Sequence, residues 1–469
     1  MSDVLGTIDA RIGDLVERAN ALEHKRRLER VGWTHAFRAD GGGWATGQPP
    51  PRDGNHVEIE IDGAAALPAI AAAIRGARSF VHIAGWTISP DFAVERDAST
   101  VTVRDLLAEV ASRVDVRVLV WAGAPVPLMH PTRADVNRSM RALLRGTRIR
   151  GAVDKRNRPM HCHHEKLVII DGATAFVGGI DLTDLGGDRF DGSPHAGRAV
   201  LGWHDVLARV TGPTVADVAS HFALRWEATT GERLASIAAP GAAGPSRVQL
   251  IRTVPEHTYP ALPRGDFGVL ESYIGALRSA RRLIYLENQF LWSTEIVAVL
   301  SDKLRRPPTD DFRLCIVLPK RPNNGNDDTR GQLAVLNEAD RHARLLAGTI
   351  GPPQRAHPLV YVHAKVGIVD DAWLTVGSAN LNEHSMFNDT EVNITTDDAT
   401  LARSVRERLW SEHLAEDCTG RDPIDVIETT WRPLLTTPAV SGPPLRPLPL
   451  TSRRSARLLG PLKGLLVDG

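Results

Sequence analysis

The feature that most constrains this chain is an internal repeat. The segment His164-Glu-Lys166-Leu-Val-Ile-Ile-Asp171, followed by Phe176-Val-Gly178-Gly179-Ile-Asp181, recurs as His363-Ala-Lys365-Val-Gly-Ile-Val-Asp370, followed by Thr375-Val-Gly377-Ser378-Ala-Asn380. Both copies read HxKxxxxDxxxxxxG(G/S)x(D/N), and their histidines stand 199 residues apart. Similar apolar segments precede each copy: Phe80 to Trp86 and Val116 to Trp121 before the first, Arg282 to Leu286 and Phe312 to Leu318 before the second. A duplication on this scale implies two like units packed together. Apolar strands alternating with helical segments make each unit α/β, a mixed sheet flanked by helices, with the two lobes related by a pseudo-twofold.

This pattern divides the chain into five parts. Residues 1–34 form an N-terminal amphipathic helix, because Val4, Ile8, Ile12, Leu15, Val16, Ala19 and Leu22 recur at spacings of three and four, as a packing face does. The first lobe takes 35–227 and opens with a period-two strand from His56 to Asp62. An Ala- and Gly-rich linker with Pro240 and Pro245 covers 228–246, the second lobe 247–422, and a Pro-rich basic tail 423–469.

Composition narrows the function. Fifty-six basic residues balance fifty-six acidic ones, so no long-range field draws a nucleic acid to the chain, and that class of partner is not expected. The longest apolar run, 63–74, contains Pro68 and falls short of the roughly 20 residues that cross a bilayer. Asp3, Asp9 and Arg11 interrupt any signal-peptide core, and the three cysteines are odd in number and far apart. The expectation is a cytoplasmic chain in a reducing compartment, peripheral on membranes at most, with export by a specialised route left open.

In each motif the alternation predicts that His and Lys lie on one strand and face the same way. The small pairs Gly178-Gly179 and Gly377-Ser378 end the next strand and let backbone approach a bound group. If the lobes face each other, two imidazoles, two ammoniums and an amide converge. That set suits a phosphodiester: one neutral His attacks phosphorus, a protonated one serves the leaving alkoxide, and the lysines hold the non-bridging oxygens. Asp171 and Asp370 fit either bracing this site or capping a turn. The run His161-Cys162-His163-His164 has the composition of a zinc cluster. Its counterpart Val362-His363-Ala364 does not, so no metal is expected, and His161 and His163 are read as wall residues.

The duplicated motif resembles that of the phospholipase D superfamily, from about His56 to Asp398. Gly178-Gly-Ile-Asp-Leu182, Trp203-His-Asp-Val206 with Gly212-Pro213 and Arg225-Trp226, and Ile284-Tyr-Leu-Glu-Asn-Gln-Phe290 are similar to the eukaryotic-type phospholipases D. The resemblance implies that His164 is the nucleophile, forming a phosphohistidine, and that His363 is the general acid. Lys166 and Lys365 complete the catalytic set, with Asp171 and Asp370 beside them, while Gly179, Asp181, Ser378 and Asn380 line the phosphate. It also implies an orienting carboxylate behind each histidine. Asp191 lies 27 residues after His164 and Glu391 lies 28 after His363, and those offsets assign Asp191 to the first ring and Glu391 to the second. One departure is His384, where many relatives carry Arg. The expected protein is a monomer that needs no metal or organic cofactor. Its substrate is a phospholipid at a membrane surface, cleaved at the distal phosphodiester bond, with alcohols able to replace water. The alternatives are a cardiolipin synthase-like phosphatidyltransferase and a nuclease of the same superfamily. The last 29 residues carry a net charge of +4, which fits either anionic lipid or a solvated tail docked through Leu458, Leu459 and Leu465.

Overall fold

A computed structural model describes residues 2–96, 100–125, 130–158, 161–183, 203–322, 326–351, 360–437 and 444–448. Short apolar segments pair there into a sheet of sixteen strands. Seven belong to the first repeat, in the spatial order Arg52–Ile61, Val206–Thr211, Thr174–Gly178, Leu167–Ile170, Phe80–Gly85, Asp115–Trp121, Arg150–Asp154. Seven from the second repeat mirror them: Ser246–Val254, Glu391–Thr396, Trp373–Gly377, Val366–Val369, Leu283–Glu287, Arg313–Val317, Leu345–Ile350. In both lists the first five strands are antiparallel neighbours and the last three run parallel. The lists join where Arg52 pairs with Val248 and Asn55 with Ser246, so the two lobes share one sheet.

The parallel strands are buried on both faces and are mostly apolar, as strands of sheets covered on both sides are, with His82 and Arg117 among the buried exceptions. One apolar layer is common to both lobes, running from Val57 and Ile169 through Phe222 and Leu250 to Ile368 and Trp410. The helices Val215–Thr230 and Ala399–Leu414 cover it. The opposite face carries a separate layer in each lobe. Continuity of the shared layer fixes how the lobes sit, and with it the distance between the two motifs.

Three expectations change. The helix Ser2–Val31 forms, but Leu15 and Leu22 are 64% and 47% exposed. Among its described side chains the hold is at the C-terminal end: Leu28 is buried, and Arg27 donates to both oxygens of Glu256 at 2.7 Å, while the side chains of Val4, Ile8, Ile12 and Val16 lie outside the description. Polar anchoring of this kind leaves no trace in hydrophobic periodicity. Second, part of the tail is core: Val426, Ile427, Trp431 and Leu445 are fully buried, and Leu445–Pro447 adds an edge strand beside Leu345–Ile350. The tail's Arg453, Arg454, Arg457, Leu458, Leu459, Lys463 and Leu465 lie outside the described residues. Third, His and Lys of each motif precede the strand; pairing starts at Leu167 and at Val366. Among the described residues no helix is long and apolar enough to cross a membrane.

Candidate active site

Each motif strand is four residues long and fully buried, and it turns back at Asp171 or Asp370, both at positive φ, to form a hairpin with the Gly-ended strand. The hairpin returns the chain to the level from which it left. His164 and Lys166 therefore stand beside Gly178-Gly179, and His363 and Lys365 beside Gly377-Ser378. The carboxyl ends of Phe80–Gly85 and Leu283–Glu287 add Trp86 and Gln289 at the same edge, where open α/β sheets bind ligands.

Backbone bonds cross between the lobes at this edge. His164 donates its N–H to the Thr390 carbonyl at 2.9 Å, and His363 donates to the His204 carbonyl at 2.8 Å. The two rings are brought to a centroid separation of 6.5 Å at an angle of 65°. A phosphorus atom fits between them if one ring makes a near-attack contact of about 3–3.5 Å and the other a hydrogen bond of about 2.6–3.2 Å.

The carboxylates behind the rings are crossed. His164 Nδ1 lies 3.1 Å from Glu391 Oε1 and 3.1 Å from the Ser378 carbonyl oxygen, both from the second lobe. His363 Nδ1 lies 2.6 Å from Asp205 Oδ2, from the first lobe. A carbonyl only accepts, so the Ser378 contact places the proton on His164 Nδ1 and leaves Nε2 as the lone-pair nitrogen. Assignment of Glu391 to His363 is thus corrected: it serves His164, and Asp205 serves His363. Asp191 lies outside the described residues. The near-equal offsets misled because 26 residues separate Gly179 from Asp205 but only 13 separate Ser378 from Glu391. Matching strands instead of counts finds Asp205, which precedes Val206–Thr211 as Glu391 opens Glu391–Thr396.

The two carboxylates differ electrically. Burial pushes Glu391 up to about 8, against the Ser378 and Ser385 hydroxyls, which donate to it at 2.5 Å. Burial opposes ionisation of Asp205 as well, but His363, Lys365 and the Val206 N–H hold it below the ordinary carboxylate value. His363 itself is held well below the usual imidazole range, first by burial and then by Lys365. A β-carbon on Gly179 would meet Asp205 Oδ1 at 2.1 Å, so that glycine makes room for the orienting acid. Trp203 stacks on His363 with a 3.8 Å centroid separation.

The lysines line the same cleft. Lys166 Nζ donates to the His164 carbonyl at 2.6 Å and lies 3.8 Å from Asp181 Oδ2. Asp181, which accepts the Trp86 N–H at 3.1 Å, is pushed up to about 6 by burial. Lys365 Nζ donates to the His363 carbonyl and to Gln289 Oε1 at 3.2 Å, and Asn380 Nδ2 donates to the same oxygen at 3.4 Å. Gln289 and Asp205 were missed as site residues, although both stand in segments that carry the family resemblance. His163 is held away from the cleft by Asp154 and Thr390.

Asp171 and Asp370 are placed elsewhere. Asp171 accepts the N–H groups of Arg78, Ser79 and Phe80 at 2.7–3.0 Å, and Asp370 accepts those of Arg281, Arg282 and Leu283 at 2.7–2.8 Å. At about 3.3 Å per residue they stand roughly 16 Å beyond the lysines, so their place in the catalytic set is corrected to that of turn braces. Asp171→Ala is expected to lower unfolding free energy by about 1–3 kcal/mol, by orphaning those donors, while kcat of the folded enzyme stays within a few-fold. Urea titration alongside initial rates checks this; a thousandfold fall in kcat at full foldedness would refute it.

Comparison with known proteins bears on the fold and family. A family model for phospholipase D matches residues 73–202, and one described as cardiolipin synthase, PLD-like domain, matches 273–412. Phospholipase D alpha 4 of Arabidopsis thaliana is 25% identical over 75% of this chain and 63% of its own length. Phospholipase D A of Dictyostelium discoideum is 25% identical over 78% of this chain, which spans 36% of that protein. Cardiolipin synthase A of Pseudomonas putida (strain W619) is 27% identical over 80% and 72% of the two chains. The crystal structure of a phosphatidylserine synthase from Haemophilus influenzae Rd KW20 superposes with a TM-score of 0.51 at 14% identity, over 75% of this chain and 85% of that one, a likeness of fold. The matched segments each contain one copy of the repeat and together cover more than half the sequence; the chain belongs to the phospholipase D superfamily.

Proposed function

We propose that the chain is a phospholipase D, cleaving the distal phosphodiester bond of a glycerophospholipid through a phosphohistidine. The observation that carries this reading is the pair of imidazoles 6.5 Å apart, each fixed at Nδ1 by a carboxylate from the opposite lobe. His164 Nε2 attacks phosphorus as the bond to the head-group oxygen breaks, and His363, protonated, gives its proton to that oxygen. Burial and the two lysines hold His363 well below the usual imidazole range; a phosphodiester monoanion between the rings opposes those charges and lets it take up a proton. The ionised Asp205 at its back then stabilises the imidazolium.

In the second step neutral His363 removes a proton from water or an alcohol, which attacks phosphorus and breaks the P–N bond. Lys166, Lys365 and Asn380 face the non-bridging oxygens, where charge builds, whereas the Gly179 and Ser378 N–H groups are spent on the Val206 and Val392 carbonyls. The ionised Glu165 between His164 and Lys166 is engaged on the other side by Arg225 Nη1 at 2.8 Å and by His221, which fixes the motif segment. No step requires a metal or organic cofactor.

A phosphatidyltransferase uses the same intermediate, and the second lobe's match to the cardiolipin synthase model keeps that reading in play. The acceptor separates the two. With phosphatidylcholine vesicles and rising ethanol or glycerol, a phospholipase D is expected to form phosphatidic acid in water and to divert it to the phosphatidyl alcohol, with the summed rate constant. Turnover only when phosphatidylglycerol or another alcohol is supplied would favour the transferase. Failure of both acceptors to give product from any phospholipid, with single-stranded DNA degraded instead, would overturn the lipid reading.

A further inference from the structure

The first motif segment holds three histidines in four residues, and the chemistry above uses one. His161 meets two residues of the second lobe: His384, in the short helical segment His384–Asn388, and Asp389 just beyond it. His161 Nδ1 lies 3.1 Å from His384 Nδ1 and 3.4 Å from Asp389 Oδ1. One ligand atom from each of the three lies within 4.8 Å of the other two. The residues are 6%, 1% and 0% exposed, and among their atoms His384 Nε2 and Asp389 Oδ2 are buried with no hydrogen-bond partner.

Hydrogen bonding alone accounts poorly for this cluster. A proton on His161 Nδ1 must be divided between a second imidazole and a carboxylate oxygen that already accepts the Cys162 N–H at 2.8 Å. A proton on His384 Nδ1 instead sets the His161 lone pair against the carboxylate. Both arrangements leave Asp389 Oδ2 unanswered in a dry interior, which costs free energy. A cation accepts several lone pairs at once. Four ligands at 2.0–2.1 Å from a tetrahedral zinc ion stand about 3.3–3.4 Å from one another, close to the two separations found.

We propose that His161, His384 and Asp389 bind a divalent first-row transition ion of the zinc class, with water in the fourth position. Imidazole and carboxylate donors suit that class. Cys162 is not a ligand, because it packs in a separate cluster with Trp86, Trp121 and Ala124. The ion would clip the segment carrying His164 to the one carrying Glu391, and so hold the lobes together. This site does not depend on which acceptor the enzyme uses.

The test uses the full chain freed of metal by a chelator, with Co2+ as the visible probe and Zn2+ as competitor. The expected result is one Co2+ per chain with the d–d absorption of a four-coordinate site, its displacement by Zn2+, and a rise in melting temperature with Zn2+. His384→Gln and Asp389→Asn should each weaken binding by at least about 100-fold, since loss of outer-shell partners alone costs 10–100-fold. Both should abolish the Zn2+-dependent rise, while Cys162→Ser keeps band and rise. If His384→Gln does not melt cooperatively, His161→Gln takes its place. Absence of Co2+ binding by the wild-type chain, wild-type affinity in the histidine and Asp389 variants, or loss of the band in Cys162→Ser would each overturn the proposal.

Discussion

His164→Ala is expected to form no covalent adduct with phosphorus-labelled phospholipid and to lose roughly 10⁴–10⁶ in kcat, as removal of a nucleophile does elsewhere. His363→Ala should lose a similar factor on natural substrates but for a different reason. Its nucleophile stays in place, with Nδ1–H directed at the Ser378 carbonyl. A substrate whose head group leaves without protonation, such as a nitrophenyl ester, should therefore still label His363→Ala, and the label should persist because no base activates water. Acid-labile, base-stable radioactivity on that variant and none on His164→Ala is the predicted pair of results. Labelling of His164→Ala at the normal rate would reverse the assigned roles.

The second large effect lies in the orienting acids, which should behave unequally. Asp205→Asn removes a full negative charge from behind the general acid, and the expected loss is about 10³–10⁴ in kcat by comparison with a triad whose aspartate becomes asparagine. Since Asp205 raises the His363 pKa, its removal lowers that value further. The acid must be protonated to act, so the alkaline limb of the rate profile should move to lower pH. Glu391→Gln should cost about tenfold or less, because burial already favours the neutral carboxyl and the Ser378 carbonyl still fixes the tautomer. Full pH profiles of both variants decide the matter. Equal losses, or a limb moving to higher pH in Asp205→Asn, would show that the two carboxylates do the same work.

Much of this was legible before any fold was known. The repeat reports the two equivalent halves of the sheet, because a strand buried on both faces must be an apolar run, and Leu167–Ile170 and Val366–Val369 are such runs. His164 and His363 stand out for the same reason, as polar residues at the border of those runs in both copies. Less visible is anything set by relations between lobes. Asp205 is hidden by the longer connection before it, and the crossing of Asp205 and Glu391 is a property of packing that no offset within one copy encodes. Asp171 and Asp370 share the motif's periodicity with the histidines and lysines, yet their partners are backbone donors at and just before the start of the neighbouring strands Phe80–Gly85 and Leu283–Glu287. The N-terminal helix shows the converse: Leu15 and Leu22 of its apolar repeat are exposed, whereas Arg27 and Leu28 are held.

The exchange of acids across the sheet seam makes each half depend on the other. A solitary half would carry one histidine and one carboxylate that cannot reach it, and would need a second copy to lend its acid through an isologous contact. Here the two halves differ, with glutamate against aspartate behind the rings and Asp181 against Asn380 beside the lysines, so the lent acids are not equivalent.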